Sequence, residues 1–72
     1  MELFTKKYNP SDFDGFLKEY MQNAYNAVDE NNPTRFNCAV SDLTLELKWM
    51  VKSNLISPQN AQDIKKYFWR LM

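Results

Sequence analysis

Histidine is absent from this chain of 72 residues, cysteine and glycine occur once each, and the formal net charge is zero. Each shortage removes a class of chemistry. Without histidine, Cys38 is the single soft ligand and cannot build a structural zinc site. Nor does Cys38 have an imidazole base to activate it as a nucleophile, so it reads as a small, apolar helix residue. One glycine cannot form a glycine-rich phosphate loop, and with three prolines it leaves little material for the turns of an all-β fold. Asp12-Phe13-Asp14-Gly15 has the look of the middle of a calcium loop. Aligned on its glycine, however, that loop would have Pro10 at its first ligand and Met21 where a bidentate Glu belongs. No cofactor, no metal and no catalytic activity are therefore expected.

A lone cysteine cannot close an internal disulfide, and no apolar signal-type segment opens the chain, so the sequence reads as cytoplasmic. No run approaches the roughly 18 apolar residues that would span a bilayer, and no membrane association is expected. The zero net charge conceals an asymmetry. Residues 1–32 hold three cations against six carboxylates, and residues 33–72 hold six against three. Complementary charge between neighbouring helices accounts for this most simply.

What the chain does have is apolar content, 44% hydrophobic and 15% aromatic, enough for one packed domain. It also has punctuation. Asn9-Pro10, Asn32-Pro33 and Ser57-Pro58 each place a side-chain acceptor before a proline, the pattern of an N-cap followed by the first helical residue. Tyr8 and Phe13 would flank the first start as a hydrophobic staple; Ser11, with Asp14 three residues on, is the rival cap. These signals predict helices near residues 10–30, 33–53 and 58–71, preceded by a short arm over 1–8. Short connections make successive helices antiparallel. The expected fold is all-α, an antiparallel three-helix bundle in a single domain.

In the first helix the apolar stripe is expected to run through Phe13, Phe16, Leu17, Tyr20, Ala24, Ala27 and Val28, with Met21 and Tyr25 at its margins. Gly15 falls on the polar side, where it costs about 1 kcal/mol against alanine with no evident need. In the last helix Ala61, Ile64, Phe68 and Leu71 point inward, with Tyr67 and Met72 at the edges. The central helix carries Phe36, Val40, Leu43, Leu47 and Met50 on one face at alternating steps of four and three.

That helix has a second apolar strip. Cys38, Leu45 and Trp49 fall roughly 180–220° around it, at about 100° per residue, bordered by Asp42 and Lys52. A helix that is apolar on two sides must bury both or offer one to a partner. The arm could cover the strip through Leu3 and Phe4. Otherwise Cys38, Leu45 and Trp49, rimmed by Asp42 and Lys52, form a contact surface for another protein or for a second copy as a homodimer. The expected function is that of a small non-catalytic interaction or regulatory module.

The alternative is a nucleic-acid-binding regulator of helix-turn-helix type. Leu55-Ile56-Ser57 followed by Ala61 and Ile64 roughly follows the apolar spacing of such a turn, and the last helix would present Gln59, Asn60, Gln62, Lys66 and Arg70. Against it stand the zero net charge, a central helix long for that motif, and Leu55 where the turn usually has glycine. The helix dipole also favours cations at a C-terminus without any phosphate.

Overall fold

The computed structural model describes residues 7–13 and 15–71; Leu3 and Phe4 of the arm lie outside them, as does Met72. Three helices account for most of the chain: α1 over Gly15–Asp29, α2 over Pro33–Lys52 and α3 over Pro58–Trp69. Among the described residues there is no strand. The fold is the all-α three-helix bundle that the periodicity predicts. Its long dimension of 36 Å is close to the roughly 30 Å of a twenty-residue helix, so α2 runs the length of the molecule.

All three capping residues act as the sequence implies. Asn9 accepts from the Ser11 N–H, Asn32 from the Arg35 N–H and Ser57 from the Asn60 N–H, each followed by its proline. The first start has a different consequence, however. Asn9 caps only a 3₁₀ turn over Pro10–Asp12, and the α-helix begins at Gly15 rather than near residue 10. Gly15 has φ +65°, with nothing within 4 Å of where a Cβ would stand. Its use is thus conformational. The backbone passes through the left-handed region, which glycine enters without penalty, and redirects into α1.

The helix ends are a matched pair. Asn31 (φ 53°) and Asn54 (φ 59°) both adopt the left-handed conformation. The N–H of Asn32 reaches back to the Ala27 carbonyl and that of Asn31 to Val28; Leu55 reaches Met50 and Asn54 reaches Val51 in the same way. Both are Schellman motifs with asparagine in the position glycine usually fills. Asn31 thus ends α1 and its neighbour Asn32 starts α2, which makes the connection short. Phe36 near the start of α2 meets Trp69 at the end of α3, edge to face at 6.4 Å. The two helices are therefore antiparallel along the whole of α3.

The core contains Leu17, Met21, Ala24, Tyr25 and Ala27 from α1, Phe36, Ala39, Val40, Leu43 and Leu47 from α2, and Ala61, Ile64 and Phe68 from α3. The inward faces of α2 and α3 are those expected, with Met50 and Leu71 partly buried against the cluster. On α1 the expected stripe is off by roughly 45° of helix rotation, at about 100° per residue. Phe16 is 63% exposed, whereas Met21 and Tyr25 are fully buried. The interruption before Gly15 is the cause. A 3₁₀ turn advances about 120° per residue, so Phe13 cannot set the phase of α1. Phe13 and Tyr20 are half-buried at its margin. The last helix also closes sooner than residue 71, with Arg70 as its cap.

Tyr25 anchors the segment before α1. Its hydroxyl donates to the Tyr8 carbonyl at 2.7 Å and lies 3.1 Å from the Tyr67 hydroxyl, which accepts from the Lys7 N–H at 3.0 Å. The Tyr8 ring meets Tyr67 edge on and stacks on Phe68. Residues 7 and 8 thus sit at the seam of α1 and α3, on the flank of α3 turned away from α2.

Candidate protein-contact surface

Burial of the face of α2 that carries Phe36, Val40, Leu43 and Leu47 leaves the opposite face in solvent. Leu45 is 63% exposed and Trp49 67%; Cys38, Asp42 and Lys52 are exposed on the same helix. Leu45 and Trp49 stand one turn apart and Cys38 two turns before Leu45, so the helix alone aligns them. Whether Leu3 and Phe4 cover this strip falls outside the described residues.

One apolar residue of this surface is not apparent from helical periodicity. Leu55, 72% exposed, follows the left-handed Asn54 and turns back over the end of α2. It shares a shallow depression of about 210 Å³ with Glu46, Trp49, Met50 and Ser53. The readable signal is Asn54, because a left-handed asparagine ending a helix returns the next side chain towards the last turn. The surface therefore runs from Cys38 through Leu45 and Trp49 to Leu55, past the C-terminus of α2.

The residues considered for nucleic acid, Gln59, Asn60, Gln62, Lys66 and Arg70, are all exposed. By helical angle Gln59, Gln62, Lys66 and Arg70 share a strip of α3, while Asn60 lies about 100° away. Asp63 sits within that strip, its carboxylate accepting from the Gln59 side-chain amide at 3.0 Å.

The charge asymmetry between the two halves is used sparingly. Among the described residues one ion pair forms, Arg35 with Glu30 at 2.8 Å across the α1–α2 connection, both side chains about half exposed. A pair this exposed adds at most about 1 kcal/mol. The described residues contain no cluster of metal-ligating side chains, and no helix among them is long and apolar enough to cross a membrane. Comparison with protein-family models, curated proteins and solved structures finds no match.

Proposed function

We propose that this protein is a non-catalytic interaction module whose contact surface is the outer face of α2, and that its simplest occupant is the same face of a second copy. The observation that carries the reading is the row of Leu45, Trp49 and Leu55, each more than 60% exposed, along one side of the longest helix and just past its C-terminus. Tryptophan is enriched where interfaces concentrate their binding energy. Burying Leu45 completely contributes roughly 1.5–3 kcal/mol, a large share of the stability of a domain this small. Small domains commonly gain by such association.

Leu45→Glu is the test. The variant should lose self-association, followed by light scattering over a hundredfold concentration range, while keeping its helix content, because Leu45 faces away from the core. A wild-type protein that stays monomeric throughout overturns the homodimer. A Leu45→Glu chain that unfolds overturns the contact surface itself. Binding of duplex DNA that weakens steeply between low and physiological salt would favour the α3 strip instead, since phosphate contacts release counterions and apolar contacts do not.

A further inference from the structure

The neighbouring flank of α2 holds a second feature, which shares only Lys52 with the rim of the outer face. Where α3 leaves its connection to α2 it presents Pro58 and Ala61, both small, to Leu47 and Val51. Beside that contact an open groove of about 520 Å³ runs between the two helices. Its accessible apolar surface is Val51 and Pro58; Leu47 and Ala61 line it but are themselves buried in the core. Thr44 also lines it, but its hydroxyl is spent on the Val40 carbonyl at 2.8 Å.

The charge on the rim is all of one sign. Lys48 and Lys52 stand along the α2 edge, Lys65 and the neutral Gln62 line the α3 side, and no carboxylate lines the groove. None of the three belongs to the one ion pair among the described residues. Lys48 and Lys52 are four residues apart on one helix, where like charges repel. The dipole of α2 favours Lys52, in its last turn, but Lys65 sits mid-helix and gains nothing from that effect.

We propose that this groove seats an amphipathic helix from another protein, with aliphatic side chains on Val51 and Pro58 and carboxylates between the three lysines. A trough between two antiparallel helices accepts a further helix by ordinary helix packing. Charge complementarity selects an acidic one. An alkyl chain would lie half wet in an open trough, and its one carboxylate would leave two ammonium groups unmatched. A nucleic-acid backbone would set phosphates over an apolar floor with no arginine beside it.

The probe is a synthetic 18-residue peptide with leucine at positions i, i+4, i+7 and i+11 and glutamate flanking them, against a control with lysine at the flanks. Amide chemical shifts should move at Thr44, Leu47, Lys48, Val51, Ala61 and Lys65, and calorimetry should give a micromolar Kd. Lys48→Glu with Lys65→Glu should weaken binding at least tenfold. The first change converts a repulsive i,i+4 pair with Lys52 into an attractive one, so folding is not at risk. Lys48→Ala with Lys65→Ala, which adds no repulsion, should weaken binding several-fold. Absence of binding overturns the proposal. So does equal binding of the lysine-flanked control, equal binding by the charge variants, or shifts confined to Leu45 and Trp49. Sodium oleate or duplex DNA producing the same shifts at lower concentration would overturn it too. Leu45→Ala, which brings no carboxylate beside Lys48, should bind the peptide normally, and this separates the groove from the self-association face.

Discussion

Tyr25 shows most directly what one side chain does for this fold. It is 1% exposed, yet its hydroxyl is satisfied by the Tyr8 carbonyl and the Tyr67 hydroxyl. Burial, reinforced by the neighbouring Tyr67 hydroxyl, pushes its pKa well above the ordinary 10. The sign of the consequence follows. Below pH 10 folded and unfolded chains both keep this proton and stability is undiminished; above it only the unfolded chain releases it, so stability falls. Wild type should therefore lose stability more steeply than Tyr25→Phe as the pH rises above 10, in urea unfolding at stepped pH. At pH 7 the same substitution should cost about 1–3 kcal/mol, by leaving the Tyr8 carbonyl without its donor. Leu47 is 2% exposed on the inward face of α2; Leu47→Ala should cost about 2–5 kcal/mol in the same assay. The two residues differ in legibility. Leu47 stands in a clear three-four repeat. The burial of Tyr25 depends on a partner seventeen residues earlier, which no local pattern reveals.

At the scale of elements, the starts of α2 and α3 and their inward faces were written locally, and the start and rotation of α1 were not. A capping side chain, a proline and a left-handed asparagine act within a few residues of each other, so Asn32-Pro33 and Ser57-Pro58 locate α2 and α3 directly. Asn9-Pro10 is the same signal with a shorter product, because Gly15 then turns the chain through positive φ. Gly15→Ala should cost about 1–2 kcal/mol for that conformation alone, since the added methyl would meet nothing within 4 Å. Gly15→Asn should cost less, as asparagine enters the left-handed region more readily. Thermal melts of the two variants check this. Equal losses would mean that the cost lies elsewhere than in φ. The same turn explains the exposure of Phe16: with α1 begun afresh, the stripe from Leu17 to Ala27 takes its phase from α2 and not from Phe13.

For the whole molecule, a bundle of this size has a small core, and an association that buries Leu45, Trp49 and Leu55 would add visibly to it. If the outer face of α2 pairs with itself, the melting temperature should rise by several degrees over a hundredfold increase in protein concentration, because mass action favours the folded dimer. In Leu45→Glu it should be independent of concentration. Differential scanning calorimetry distinguishes the two. By itself the sequence determined the class of fold, the number of helices, the places where α2 and α3 begin, and the outward-facing strip of Cys38, Leu45 and Trp49. These depend on contacts within a turn or two of helix, and such contacts are encoded in spacing. The tertiary structure alone decided the phase of α1, the addition of Leu55 to the exposed strip, and the meeting of Lys65 with Lys48 and Lys52 across an apolar floor. Each of those joins residues from different elements, and their distance is set by how the helices pack and not by their separation along the chain.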